Sequence, residues 1–125
     1  EELMKRHLFG KRPSAEVVFI ESETGVKAGF ALFFTNFSTF LAKPGIYLED
    51  LFVLPEYRGH GYGKQVLEYL AALTVERECG RLEWAVLDWN EPAIRFYEKL
   101  GAKMMRDWRV FRLTGYALAA LAAKP

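Results

Sequence analysis

Arg58-Gly59-His60-Gly61-Tyr62-Gly63 stands between an apolar run ending in Phe52-Val53-Leu54-Pro55 and an amphipathic stretch that opens near Lys64. Glycines at alternate positions let the backbone fold tightly and turn successive N–H groups into one concavity. A helix starting directly afterwards adds the partial positive charge of its N-terminus. Such a corner suits a pyrophosphate, with the Arg58 guanidinium as a cationic fork at the rim. Two familiar phosphate loops are excluded by spacing. A Walker loop needs Gly where Arg58 stands and Ser or Thr where Gln65 stands, and a dinucleotide fingerprint reads G-x-G-x-x-G rather than G-x-G-x-G. A plain glycine-rich turn remains the other reading of these six residues.

Upstream of the loop, Ile46 to Leu54 (IYLEDLFVL) reads as a strand that is apolar on both faces except for adjacent carboxylates at Glu49 and Asp50. That pattern predicts a place in the middle of a sheet, and strict alternation sends Glu49 and Asp50 to opposite faces. Ala15 to Glu21 and Val26 to Thr35 are β-rich runs around Thr24-Gly25, an expected antiparallel hairpin. Asn36 to Gly45 reads as a polar loop closed by Pro44 and Gly45, and Glu1 to Phe9 as the last turns of a short helix. Downstream, Lys64 to Cys79 carries Val66, Leu67, Leu70 and Leu73 at helical spacing, with Gly80 as the stop. Leu82 to Leu87 is a fourth strand. Glu91 to Leu100 is a second helix, with Pro92 in its first turn and Gly101 after its end. Met104 to Leu113 is a fifth strand and Tyr116 to Ala123 a short Ala/Leu helix. This alternation predicts an α/β fold with a mixed, mostly antiparallel sheet flanked by helices.

A chain of 125 residues fits a single domain over 1–125 with one real core. Its hydrophobic fraction of 51% argues against disorder, and charges interrupt every apolar run before it could span a bilayer. A net charge of +1 gives no electrostatic footprint for nucleic acid or an anionic membrane, which leaves a small molecule or a protein as the default substrate. Cys79 is the only cysteine, so no disulfide forms within the chain. With only His7 and His60 beside it there is no zinc-ligand spacing; no metal is expected, and a reducing cytoplasm fits. The sequence opens at Glu1 with neither a basic n-region nor an apolar h-region, so no signal peptide is expected in this stretch.

R-x-x-G-x-G after a strand ending in V-x-P-x-Y (Val53 to Tyr57) resembles the acetyl-coenzyme A pyrophosphate loop of the GNAT superfamily of N-acetyltransferases. Asn90 to Ala102 (NEPAIRFYEKLGA) resembles its second cofactor motif. Within the superfamily, Tyr47-Leu48-Glu49-Asp50 and Ala85 to Asn90 (AVLDWN) are similar to the diamine (spermidine/spermine) acetyltransferases and, closer still, to their thialysine N-ε-acetyltransferase relatives. The resemblance runs from about Leu3 to Ala122. It implies the GNAT acyl-CoA N-acyltransferase fold, acetyl-CoA as co-substrate, a small primary amine as acceptor, direct transfer and a homodimer. The family begins with a strand and a helix ahead of what matches Glu1. An N-terminally incomplete domain is therefore expected, with part of the amine pocket supplied by the preceding segment.

The resemblance also distributes roles. It places Arg58, Gly59, His60, Gly61, Tyr62, Gly63 and Lys64 on the pyrophosphate, and a backbone N–H from Leu51, Phe52 or Val53 on the developing oxyanion. Asn90 would contact the pantetheine arm, although it reads equally well as a helix N-cap. An alkylammonium with a pKa of about 10.4 is only about one part in a thousand neutral at pH 7, so the amine needs a base. Glu49 is the implied general base, through water, and Asp50 the implied holder of the substrate's positive charge; simple pairing with a nearby Arg or Lys is the other reading. Tyr97 matches the general acid that protonates the thiolate, against an ordinary core aromatic on the Ile94–Gly101 helix face. Cys79 reads as a packing residue and the His60 side chain as a solvated loop group.

Two other functions stay in view. An idle acyl-CoA-binding module would keep the glycine loop without the acid–base groups, and the presence of Glu49 and Tyr97 disfavours it; no sequence feature separates a protein-lysine acetyltransferase. Asn36 to Lys43 carries no carboxylate where the polyamine enzymes carry one, which predicts a lysine-like amino acid, its carboxylate toward Lys43 or an Arg, over spermidine and spermine.

Overall fold

The computed structural model describes residues 14–39 and 41–124. The helix expected over Glu1 to Phe9 lies outside them. The chain divides into two compact units, Glu1–Ala85 and Val86–Pro125.

The first unit is a four-stranded sheet in the order β1 (Glu16–Glu21), β2 (Lys27–Ser38), β3 (Lys43–Val53), β4 (Leu82–Trp84). The first three strands are antiparallel and β4 joins β3 in parallel, so the sheet is mixed and mostly antiparallel. The β1–β2 hairpin turns at Thr24-Gly25: Gly25 takes φ 82°, and Ser22 N–H donates to the Val26 carbonyl at 2.8 Å. After β3 a 3-10 turn (Pro55–Tyr57) leads through the glycine loop into α1 (Tyr62–Glu76). Val66, Leu67 and Leu70 on α1 are buried together with Ile20, Ala31, Phe33, Ile46 and Leu48 of the sheet. This one apolar layer between helix and sheet is the core of the unit. No helix among the described residues is long and apolar enough to cross a membrane.

Three expectations about this unit change. Both ends of the loop expected over Asn36 to Gly45 are strand: β2 and β3 pair through Asn36↔Gly45, Phe37↔Pro44 and Ser38↔Lys43. Pro44 faces the β4 side, where its carbonyl accepts from Gly80 N–H at 2.8 Å, so its missing N–H breaks no bond to β2. Helix α1 ends at Glu76 rather than Cys79, because Glu78 turns to φ 57° and Cys79 N–H closes back on the Thr74 carbonyl at 2.9 Å. Strand β4 stops at Trp84, three residues short of the expected end.

The second unit holds α2 (Glu91–Lys99) and α3 (Gly115–Ala122). Asn90 Oδ1 accepts from Ala93 N–H at 3.4 Å, Pro92 lies in the first turn, and Gly101 at φ 98° follows the end of α2. The fifth strand expected over Met104 to Leu113 is absent. That stretch makes turn bonds, Arg106 N–H to the Met104 carbonyl and Trp108 N–H to Met105, and Phe111 is 95% exposed. Strand propensity is realised only against a ladder partner, and none pairs with it among the described residues.

Candidate active site

The decisive local feature is a change of register in β3. Below it Phe33 pairs with Leu48, and above it Leu32 pairs with Asp50, so Glu49 is an extra residue: a β-bulge. Backbone directions show the effect. Ile46 N–H donates to the Arg81 carbonyl at 3.0 Å, so Ile46 and Leu48 face β4; Leu54 N–H donates to the Ala28 carbonyl at 2.7 Å, so Phe52 and Asp50 face β2. The bulge therefore turns Leu51 and Val53 toward the β4 side, where β4, paired only with Ile46 to Leu48, has already ended. Their backbone groups form an edge without a ladder partner among the described residues. The Val53 carbonyl is taken by Arg58 Nε at 2.8 Å.

The same bulge corrects the expectation that Glu49 and Asp50 point to opposite faces. Leu48 is buried in the helix-side core, and Leu51 also faces α1, since a Cβ on Gly63 would lie 3.9 Å from Leu51 Cδ2. Tyr47 and Phe52 face the other way, stacked at 5.3 Å on Phe34 and 6.0 Å on Phe30. Glu49 and Asp50 fall between two helix-facing residues that are three apart instead of two, and both carboxylates leave on the face away from α1. Both are exposed, and neither forms an ion pair among the described residues. Burial first, then the charges of Glu49 and Glu83, push the Tyr47 phenol above its ordinary range.

The glycine loop presents donors. Gly59 and Gly61 sit at φ 81° and 83°, with open space where a Cβ would stand. Gly61 is the N-cap of α1, without a side-chain bond, and the first helical bond runs from Gln65 N–H to the Gly61 carbonyl at 3.1 Å. The N–H groups of Gly59, His60, Gly61, Tyr62, Gly63 and Lys64 thus have no backbone or side-chain acceptor among the described residues, a concavity able to take an anion. The terminal amino groups of Arg58 have no partner among the described residues, and its guanidinium lies 5.7 Å from the Phe52 ring. These residues fit the pyrophosphate of acetyl-CoA.

In the second unit, Asn90 is the N-cap of α2, and Tyr97 is half-buried beside Phe96 at 5.6 Å between ring centres. Burial lifts the Tyr97 phenol above its ordinary range, so it keeps its proton at neutral pH. Cys79 is partly exposed. Lys43 lies six residues along β3 from Glu49, about 20 Å at the strand rise, with its stem against the Gly80 position. It is out of reach of the carboxylate of an amino acid whose side-chain amine sits at Glu49. The sequence alone did not disclose the open edge at Leu51 and Val53; its one trace was a pair of acids inside an otherwise apolar strand.

A sequence profile of the Acetyltransferase (GNAT) family matches residues 1–102. The L-ornithine N5-acetyltransferase of Arabidopsis thaliana is 51% identical over 96 residues, 77% of this chain but 42% of that protein. The thialysine N-epsilon-acetyltransferase of Bos taurus is 35% identical over 134 residues, covering 99% of this chain and 78% of the relative. Among solved structures, an integron cassette protein from the mobile metagenome of V. cholerae superposes with a TM-score of 0.85 at 28% identity, over 98% of this chain and 77% of that one.

Proposed function

The chain belongs to the GNAT acetyltransferase family, and from that membership we propose that it transfers the acetyl group of acetyl-CoA to a primary amine of a small molecule, either a lysine-, thialysine- or ornithine-like amino acid or a diamine. The observation that carries this reading is the concurrence, in one unit, of six backbone N–H groups at a helix start and two carboxylates on a bulged strand, all without a partner among the described residues.

Acetyl-CoA supplies an acetyl group already activated as a thioester. The amides from Gly59 to Lys64 and the Arg58 fork bind its pyrophosphate, and Asn90 meets the pantetheine arm. The N–H groups of Leu51 and Val53, on the open edge, are the donors for the carbonyl oxygen as negative charge builds on it. Glu49 takes a proton from the incoming ammonium through water, and Asp50 holds the residual positive charge of the acceptor. As the new N–C bond forms and the C–S bond breaks, Tyr97 gives its phenol proton to the departing sulfur. Two protons leave the nitrogen between ammonium and amide, one through water to Glu49 before attack and one from the tetrahedral intermediate; the thiol gains one from Tyr97, which is reprotonated, and the net reaction releases one proton to solvent. The setting of this reading is the cytoplasm, which a single cysteine suits, and the assembly a homodimer.

Acetyl-CoA-dependent thiol release across ornithine, lysine, thialysine, 1,4-diaminobutane, spermidine and a lysine peptide tests it. Binding of acetyl-CoA without release above hydrolysis, for every amine, would reduce the protein to an acyl-CoA-binding module. A dominant response to the peptide would make it a protein-lysine acetyltransferase.

A further inference from the structure

The sheet face that carries Glu49 and Asp50 holds a second charged group that the chemistry above does not use. Arg81 Nε lies 3.2 Å from Glu83 Oε1, with side chains 45% and 34% exposed. Glu83 is the β4 partner of Tyr47, and paired residues share a face, so both charges stand on the side of Tyr47 and Glu49. The Arg81 stem crosses close over β3 at Gly45. A Cβ there would meet Asn36 Oδ1 at 2.6 Å, the Arg81 carbonyl at 3.2 Å and Arg81 Cγ at 3.5 Å.

This ion pair has no evident structural work. Glu16 with Arg77 ties β1 to the residue that caps α1, and Glu91 with Arg95 spans one turn of α2. Arg81 and Glu83 are two apart at the start of a strand that the ladder already fixes, and exposed pairs of this kind contribute little stability.

The spacing fits an amino acid. Glu49 is two residues beyond Tyr47, the register partner of Glu83, which sets the Cα atoms of Glu49 and Glu83 about 8 Å apart from strand rise and strand separation. An extended lysine side chain carries its amine about 6 Å from Cα, and ornithine about 5 Å, for staggered chains with bonds near 1.5 Å. An acceptor whose reacting ammonium rests on Glu49 and Asp50 brings its α-carbon beside Glu83.

We propose that Arg81 and Glu83 form a head-group subsite that selects α,ω-diamino acids over plain diamines. Glu83 takes the α-ammonium, and Arg81 turns its fork to the α-carboxylate. Without substrate the two side chains satisfy each other. A zwitterion replaces that one pair with two, whereas a diamine engages Glu83 and leaves Arg81 without an anion. The inference rests on the amine-acetyltransferase reading of the site and names its substrate class.

Steady-state kinetics of the full chain with ornithine, lysine and 1,4-diaminobutane test it. Arg81→Gln should lower kcat/KM for both amino acids roughly 10- to 100-fold, mainly through KM, and leave that for 1,4-diaminobutane within about threefold. Arg81→Lys should restore part of the loss, and Glu83→Gln should also weaken the amino acids. Acetyl-CoA affinity, measured by calorimetry on each variant, should stay at the wild-type value and so exclude a folding defect. An equal loss for all three acceptors, or no loss for the amino acids, overturns the subsite while leaving the acetyltransferase intact. Failure of the wild type to acetylate any of the three overturns the activity and the subsite together.

Discussion

Arg58 Nε donates to the Val53 carbonyl at 2.8 Å, across the corner where β3 gives way to the glycine loop. That carbonyl belongs to the edge left open by the bulge, so the arginine satisfies an acceptor with one edge of its guanidinium and keeps two amino groups for an anion. Both functions need the planar fork. Arg58→Ala should weaken acetyl-CoA roughly 10- to 100-fold, as loss of a charge-assisted hydrogen bond does. Arg58→Lys should recover little of it, because a single ammonium cannot serve both partners in that geometry. Calorimetric affinity for Arg58→Ala equal to wild type would remove Arg58 from the cradle.

Tyr97 keeps its proton at neutral pH because burial disfavours the phenolate. In its proposed role as general acid it would work in the protonated form, so kcat should hold up to about pH 10, the ordinary tyrosine value, and fall only above it. Tyr97→Phe should lose roughly 10- to 1000-fold in kcat, together with that alkaline limb, and bind acetyl-CoA as before, since the ring still packs beside Phe96. Wild-type turnover in Tyr97→Phe would return the residue to an ordinary packing role.

Glu16 receives two hydrogen bonds from Arg77, at 2.6 and 2.8 Å, and they hold its carboxyl below the ordinary range, aided by the Arg77 charge and opposed by partial burial. The depressed folded value stabilises the protein above the unfolded carboxyl pKa of about 4.3, and the benefit is lost as pH falls through the folded value. With side chains 38% and 46% exposed, solvent screening limits the pair to about 0.5–1 kcal/mol. Glu16→Gln should therefore lower Tm by a few degrees at pH 7 and by clearly less near pH 3. Thermal unfolding at the two pH values checks this; a gap between wild type and variant that does not change with pH would mean that packing, and not charge, sets it.

Alternation and glycine placement made the hairpin, the β3 strand, α1 and the loop legible in the sequence, because each is set by residues close in the chain. Asn90 could be read as an N-cap for the same reason. What escaped depends on partners far along the chain. Pro44 and Gly45 look like loop residues until Asn36 and Phe37 pair with them, and the run from Met104 to Leu113 has strand composition without a ladder to join among the described residues. The bulge at Glu49 is a matter of register against Leu32 and Phe33, which no local pattern records.

The bulge has a measurable consequence for how the two acids work. On opposite faces Glu49 and Asp50 would act independently, and the losses from Glu49→Gln and Asp50→Asn would add. On one face, adjacent and without a counter-cation among the described residues, they would share the acceptor's ammonium in the proposed reaction. Glu49→Gln should fall chiefly in kcat and Asp50→Asn chiefly in KM. The double variant should be less impaired than the product of the single losses, with a coupling of about 0.5–3 kcal/mol in the kcat/KM cycle. One remaining carboxylate cannot serve fully as both base and counter-ion, so each single change already takes part of the other's function. Single losses that multiply cleanly in the double variant would show that the acids act apart, and would return them to separate faces of the strand.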